Sequence, residues 1–565
     1  MPTRQEVLTQ LTSSGLFQIE EDRALGYPIR IYRNAPRSMR AILESTRPFA
    51  QRDFLIYGEE KITFGEHYAR VAALADFLLH KGIRKGDRVA IGMRNYPEWM
   101  IGFWACQAIG AVVVALNAWW TETELSYALD DSGVSALIID GERLERLASA
   151  LRRRNLKVVI VARRNGLGDE GVDFSEAARN GGDRLPDADI LPSDFSTILY
   201  TSGTTGKPKG AVATQRNHVT NYMNSLLGGA VAKGLLGDFS PLNLKGAPQL
   251  GVLQTFPFFH IGGMSGLYVA TGTGAKLALM YKWNPAEGVD LVEKHRLNSV
   301  AGVPMVVRQL LEQARNSGAD VSSLLGIASG GAPVPPDLIC QIGKQFEMKT
   351  APANGYGLTE TTSAIISNSG ADYHAEPTSI GRPVATADVK IVDELGMELG
   401  DDQIGELLVR GPNVIPGYWN NPEATESAFG GGWFRTGDLG YRDARGLHYV
   451  VDRKKDVIIR GGENVYCAEV EAAILEHPMV KDAAVVGIPH PTYGEEVGAV
   501  IQIRDPARSH TLPAELRATL AGSLAQFKIP TAFRVTETDL PRTATGKVLK
   551  RELRALFAET DAKPG

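Results

Sequence analysis

Cysteine is scarce in this chain of 565 residues: Cys106, Cys340 and Cys467 are the only three. They stand too far apart for a disulfide framework and match neither a zinc site nor a C-x-x-C motif, so a reduced compartment with three packed thiols is expected. No sign of charge dominates, because 60 basic residues face 65 acidic ones for a formal net charge of −5. That balance offers no electrostatic case for nucleic acid as the main partner. Internal repeats and low-complexity tracts are also missing. Met1 to Glu21 carries charge early and lacks the apolar core of a signal peptide, so a cytoplasmic protein is expected.

Long apolar runs are nearly absent, and the one exception is instructive. Trp99 to Trp120 holds 22 residues without a charge, long enough on paper to cross a bilayer. Gly110 divides it into a helix-length piece, Pro97 to Ile109, and a β-branched run, Ala111 to Leu116. A helix followed by a buried parallel strand reads that way. Four of the seven tryptophans, Trp99, Trp104, Trp119 and Trp120, sit here, which leaves peripheral contact with a membrane surface open.

What is present is an ordinary globular composition, 44% hydrophobic and 22% charged, in a chain long enough for about three to four structural units. Helix and strand patterns alternate: helices at 64–81, 122–132 and 144–153, strands at 88–92, 136–139 and 158–161. This rhythm predicts α/β layers built on parallel sheets. Near residue 405 short, turn-rich strands suggest a small β subdomain. Asp452-Arg453-Lys454-Lys455-Asp456, five charges in a row, reads as a linker, and the residues after it form their own α+β pattern. The expected organisation is an N-terminal domain over 1–452, a hinge at 453–455 and a mobile C-terminal domain over 456–565.

The most informative segment is Thr201-Ser202-Gly203-Thr204-Thr205-Gly206-Lys207-Pro208-Lys209-Gly210, set between the apolar strands Thr197 to Tyr200 and Ala211 to Ala213. Glycines permit positive φ, successive N–H groups form an anion nest, and the lysines supply charge. Such a loop suits a nucleotide triphosphate. It is not a P-loop, which would need Gly at 201 and Ser or Thr at 208, where the chain has Thr and Pro.

Four further blocks follow: Asn354-Gly355-Tyr356-Gly357-Leu358-Thr359-Glu360, Trp433-Phe434-Arg435-Thr436-Gly437-Asp438, Asp452-Arg453, and Pro541-Arg542-Thr543-Ala544-Thr545-Gly546-Lys547. Together and in this order they resemble the AMP-forming adenylating superfamily, which includes acyl-CoA synthetases, aryl-CoA ligases, luciferases and nonribosomal adenylation domains. The resemblance implies an ATP-, Mg²⁺- and coenzyme A-dependent ligase acting on a small-molecule carboxylic acid. Thr201, Ser202, Gly203, Thr204, Thr205 and Lys209 would hold the triphosphate, and Glu360 with Thr201 would hold Mg²⁺. Tyr356 would face adenine beside Asn354, Gly355, Gly357 and the loop Gly330-Gly331-Ala332-Pro333, while Thr359 would meet the α-phosphate. Asp438 and Arg453 would bind the ribose. Lys547 would deliver its cation to the reacting oxygens, because two anions must meet in that step. Gly461 and Gly462 would line the pantetheine tunnel, and Lys455 occupies the hinge position.

For the acid itself the resemblance points to Phe256-Pro257-Phe258-Phe259-His260-Ile261-Gly262-Gly263-Met264-Ser265-Gly266, with His260 beside the acyl group. Gly262, Gly263 and Gly266 suggest a roomy pocket. Gly251 to Gly272 contains no Asp or Glu, which argues against an α-amino acid, whose ammonium would need a counter-charge. A medium- or long-chain fatty or bulky hydrophobic acid is expected, with aryl or phenylpropenoic acids, and a carrier-protein acceptor, as alternatives. A catalytically dead scaffold is disfavoured by the presence of Lys547, Glu360, Asp438 and Arg453. The stretch from Val219 to Gln254 looks long and is expected to form an extra loop or lid near the acyl entrance.

Overall fold

The computed structural model describes residues 2–23, 26–164, 171–179, 181–201, 207–543 and 546–558. The chain divides into two compact units, one of Met1–Pro377, Gly381–Val389 and Val409–Phe434, the other of Thr378–Ile380, Lys390–Leu408 and Arg435–Gly565. The expected partition near 453–455 concerns motion rather than compactness, and contacts group the paired strands Trp433–Arg442 and His448–Arg453 largely with the segment that follows them.

In the first unit the local rules are followed closely. Helix Phe64–His80 starts where Thr63 accepts the Glu66 N–H at 3.2 Å and the Glu66 carboxylate accepts the Thr63 N–H at 2.8 Å, a reciprocal cap. Helix Pro97–Ile109 opens on proline and closes on Gly110 at φ +72°. Every residue in it except Glu98 is buried. Trp99 and Trp104 are therefore core residues, whereas Trp120 is partly exposed and Trp119 is 43% exposed. Among the described residues no helix is long and apolar enough to cross a membrane.

Two sheets organise this unit, of eight and nine strands. In the first, Phe195–Thr201, Val112–Ala115, Arg88–Gly92, Ala136–Asp140 and Val158–Ala162 run parallel side by side. In the second, Ala351–Leu358, Gly326–Gly330, Ser299–Gly302, Gly251–Gln254, Lys276–Leu279 and Asp53–Tyr57 do the same. Central strands buried on both faces account for the continuous apolar runs that the sequence showed.

The stretch from 219 to 254 corrects an expectation. Its first part is simply helix Gln215–Leu235. The loop after it is stapled by Arg52, whose guanidinium donates to the carbonyls of Leu244, Lys245 and Ala247 at 3.4, 2.7 and 3.1 Å. This loop enters strand Gly251–Gln254 at its N-terminal end, whereas Phe256 to His260 leaves at the other end. About 13 Å of strand separates them, so the stapled part of the loop, Leu244 to Ala247, lies at the end of the strand away from the acyl segment.

The second unit contains the antiparallel pair Val480–His490 and Gly494–Ile503, with Ala532–Thr536 added in parallel. Alternation sorts its faces: Ala483 and Val485 pack with Val470, Leu512 and Leu516, while Ala484 and Val486 pack with Leu540, Leu553 and Phe557. Helix Lys550–Ala558 thus covers the face opposite helices Cys467–Leu475 and Leu512–Leu520. It begins only at Lys550, because Val548 bridges Arg542 and the Leu549 N–H donates to Pro541 O at 2.8 Å.

Two histidines of the first unit are interior. His67 lies edge-on to Phe54, and His218 shares a 2.9 Å hydrogen bond with Thr197 Oγ1. Burial lowers the pKa of each to about 3. Unfolding returns them to about 6.5, so below that pH the unfolded chain binds protons that the native chain refuses. Stability should fall as pH drops from about 6.5 to 5, by about 1.4 kcal/mol per pH unit for each histidine. Thermal denaturation across that range checks this, and His67→Leu should flatten the slope by about one proton.

Candidate active site

Strands Phe195–Thr201 and Lys209–Thr214 pair antiparallel, with Thr201 opposite Lys209, so the hydroxyl- and glycine-rich segment caps a hairpin. Ser202, Gly203, Thr204 and Thr205 lie outside the described residues. At the feet of the loop the Lys207 and Lys209 ammonium groups each sit 5.3 Å from a tyrosine ring, those of Tyr127 and Tyr418. The Thr201 hydroxyl points back to Lys209 O at 3.4 Å.

The Glu360 block runs along strand Ala351–Leu358. After Tyr356 the register with strand Ser363–Ser369 slips, and a Cβ at Gly357 would stand 2.0 Å from Ser363 O, so only glycine fits there. The chain then enters the turn Thr359–Thr361, where the Thr361 hydroxyl accepts the Leu358 N–H at 2.8 Å, and leaves through Thr362 and Ser363 at φ +48° and +82°. This turn packs on strand Lys209–Thr214. It presents Glu360, 8% exposed, whose Oε1 accepts the Tyr418 hydroxyl at 2.8 Å. Burial, and after it the Glu360 charge, push the Tyr418 phenol upward, so Tyr418 stays a donor.

Strand Gly326–Gly330 lies parallel to this one, with Ser329 opposite Asn354 and Gly330 opposite Gly355. The next residue, Gly331, has φ +77° and opens the loop Gly331-Ala332-Pro333. Phe256 reaches that loop: a Cβ at Gly331 would be 3.6 Å from its ring, and one at Gly262 equally 3.6 Å. The same ring stacks on His260 at 6.1 Å and 18°. The adenine-loop and acyl-segment candidates therefore meet around one phenylalanine.

His260 caps helix Ile261–Thr273, its Nδ1 accepting the Gly262 N–H at 3.2 Å. Burial lowers its pKa to about 4. It is thus neutral at pH 7 with its proton on Nε2, a donor and not a charge. One of the three pocket glycines has another reason to be glycine. At Gly263 a Cβ would lie 2.1 Å from Pro257 O, a backbone atom, whereas at Gly266 it would meet only the end of the Gln254 side chain, 2.8 Å from Oε1. Gly262, beside Phe256 and His260, retains ordinary clearance. Asn221 fastens this helix by donating to the hydroxyls of Ser265, at 2.7 Å, and Tyr268.

In the second unit Asp438, 3% exposed, stands opposite Arg453 in the strand register, and Arg453 Nε meets Asp438 Oδ1 at 2.7 Å. Lys547 joins them. It keeps surface in water, but loss of solvent at the ammonium, then the positive charges of Arg453 and Lys455, lower its pKa to about 8 against the pull of Asp438 and Asp456. Gly461 and Gly462, at φ +60° and +90°, make the two-residue turn between Ile458–Arg460 and Glu463–Val465. A tight hairpin of this kind needs positive φ at both positions, a backbone reason for the glycines apart from any tunnel.

Tyr418 and Asn95 were not anticipated. The Asn95 side chain clamps the acyl segment, donating to Phe256 O and accepting from the Phe258 N–H, both at 2.9 Å. One asparagine before Tyr-Pro reads as a turn, and nothing in the chain order announces its distant partner. As to Mg²⁺, that ion takes one or two protein carboxylates together with phosphates and water. Glu360, next to the hairpin ending in Thr201, fits such a donor set. Among the described residues no group of three or more His, Cys, Asp or Glu offers an all-protein cage.

Comparison with known proteins shows the family. The AMP-binding enzyme family model matches residues 43–419, and the model of the AMP-binding enzyme C-terminal domain matches 469–547. The chain belongs to the AMP-binding enzyme family. It is 36% identical over 502 residues to a feruloyl-CoA synthase of Amycolatopsis, covering 89% of this chain and 95% of the relative. To a long-chain-fatty-acid–CoA ligase of Bacillus subtilis it is 31% identical over 564 residues, covering 93% and 96%. Among solved structures, the o-succinylbenzoate CoA synthetase of Bacillus subtilis with its acyl-adenylate intermediate superposes with a TM-score of 0.76 at 30% identity, covering 91% of this chain and 97% of that one. AMP-binding enzymes differ in the acid they take, and the acyl segment is where this member can be probed. Gly263→Ala should lower stability by about 1–3 kcal/mol, since backbone must yield to the new methyl, whereas Gly262→Ala should melt near wild type. Thermal denaturation of the two variants compares them directly.

Proposed function

We propose that this protein is an AMP-forming acid–thiol ligase that activates a hydrophobic carboxylic acid as its acyl-adenylate and transfers the acyl group to coenzyme A. The observation that carries this reading is the convergence of Lys547 on Asp438 and Arg453, a cation beside a ribose-type carboxylate–guanidinium pair. In the first step a carboxylate oxygen attacks the α-phosphorus of ATP, the bond to the β-phosphate oxygen breaks and pyrophosphate leaves. Lys547, still protonated in the main at pH 7, offsets the repulsion between the two anions. Asp438 accepts from the ribose hydroxyls and Arg453 holds Asp438 in place. Glu360 and Thr201 would hold Mg²⁺, which when bound neutralises phosphate charge. In the second step the thiol sulfur attacks the acyl carbon, its proton passes to solvent and AMP departs. His260 offers a neutral donor at the acyl end.

The two steps use different parts of the C-terminal segment, and we assign rotation of 456–565 about Lys455 to the change between them, with 1–452 as the N-terminal domain. Gly461 and Gly462 then serve the thiol. For the acid, Phe256 stacked on His260 and Phe259 edge-on to Trp119 at 5.4 Å support a flat aryl or phenylpropenoic substrate. The likeness to a long-chain-fatty-acid–CoA ligase favours the second reading, a fatty acid.

The test is nucleotide-resolved turnover over a panel of aryl and fatty acids, with and without CoA. AMP and pyrophosphate should form only with ATP, Mg²⁺ and a hydrophobic acid, and CoA should be consumed in step. ADP as the sole nucleotide product would sink the assignment. Lys547→Ala should lose adenylation by about 10² or more while still forming thioester from supplied acyl-AMP and CoA.

A further inference from the structure

Lys547 is held in its turn by three hydrogen bonds that all involve Thr543. The Thr543 N–H donates to Lys547 O at 2.7 Å, the Gly546 N–H to Thr543 O at 2.9 Å, and the Lys547 N–H to Thr543 Oγ1 at 3.1 Å. Local bonds of this kind shape a turn but do not fix where it points. Two ionic feet tie it to one strand, Val480–His490. On the far side Lys550 meets Glu471 at 2.8 Å, and Glu471 in turn accepts the Val485 N–H at 2.8 Å. On the near side stands Arg542. Its Nη2 donates to Asp482 Oδ2 at 2.5 Å and its Nη1 to Gly546 O at 2.6 Å, the carbonyl immediately before Lys547. One planar guanidinium therefore joins the strand to the residue that precedes the lysine. Lysine could satisfy either acceptor but not both in a fixed fork.

We infer that Arg542 is a positioning residue for the adenylation step, its guanidinium aiming Lys547 by bracing Gly546 O against Asp482. The inference rests on the reading of Lys547 as the adenylation cation. An ammonium displaced by about 1 Å from converging anions loses much of its effect, up to about 10² in rate. The brace is not needed for thiol transfer, where Lys547 has no part.

The experiment measures both half-reactions and the melting temperature for Arg542→Lys, Arg542→Ala and Asp482→Asn, with Lys547→Ala as reference. Arg542→Lys, which keeps an ion pair to Asp482, should melt near wild type and retain thioester formation from supplied acyl-AMP. Its adenylation kcat should drop about tenfold while KM for ATP stays within about twofold. Arg542→Ala should drop further in the same half-reaction, and Asp482→Asn should resemble Arg542→Lys. Full adenylation by Arg542→Lys, or parallel loss of both half-reactions with the melting temperature, would overturn the positioning role. If Lys547→Ala itself adenylates normally, it is the underlying reading of Lys547 that fails, a result distinct from either.

Discussion

Backbone must approach backbone at the ends of the parallel strands, and much of the first unit depends on that constraint. Gly330 lies opposite Gly355, where an added Cβ would come within 3.1 Å of Gly355 O, and Gly357 admits no Cβ at all against Ser363 O. Side chains at these points would push the two strands apart and open the end of the sheet. With glycine the ends stay close, so Gly331 and Glu360 emerge near the same edge as Phe256. The glycines are thus a condition for the strand ends to stay close and for Glu360 to be turned back toward Tyr418.

Charge is distributed unevenly over this frame. Around Phe256, His260 and Phe259 the nearest rings are aromatic, burial keeps the imidazole uncharged at pH 7, and the Arg94 guanidinium lies over the Trp119 ring at 3.6 Å. In the second unit lysine, arginine and carboxylate groups gather around Asp438 and Arg453. On the proposed reading, a neutral donor beside an apolar wall would favour an uncharged acyl body, and the reacting carboxylate would take its compensating cation from Lys547. Specificity and activation would then rest on different physical terms, apolar burial for one and preorganised charge for the other.

How much of this was legible in the sequence follows from what each letter can encode. Helix Pro97–Ile109 was readable to the residue because proline and glycine mark its ends, and Glu122–Ser132 because its cap is local. The two strands around the Thr201 to Gly210 loop were readable from their apolar runs, but they extend past those runs to Thr201 and Lys209. The packing of Gly263 against the Pro257 carbonyl went unread because glycine looks alike whether it clears space for a ligand or for backbone. The loop after Leu235 was misplaced because length alone does not say at which end of a strand a loop lies. Tyr418 and Asn95 escaped notice because their partners, Glu360 and Phe256 to Phe258, are distant in the chain and tied only by hydrogen bonds.

On the proposed reading of Lys547 as the adenylation cation, its lowered basicity would have a physical use. A fully hydrated ammonium would shield its charge with water and surrender that water only at a cost as the anions arrive. Here the solvent is already partly withdrawn, and Arg453 and Lys455 crowd the site with like charge, which is why the pKa falls to about 8. Such an ammonium is poorly compensated while alone. The approach of a carboxylate and a phosphate relieves the repulsion, strengthens the hold on the proton and makes the cation more favourable as negative charge builds. On that reading the strain that lowers its pKa in the free protein would be released during the step that needs the charge, and the interaction would favour the transition state over the ground state.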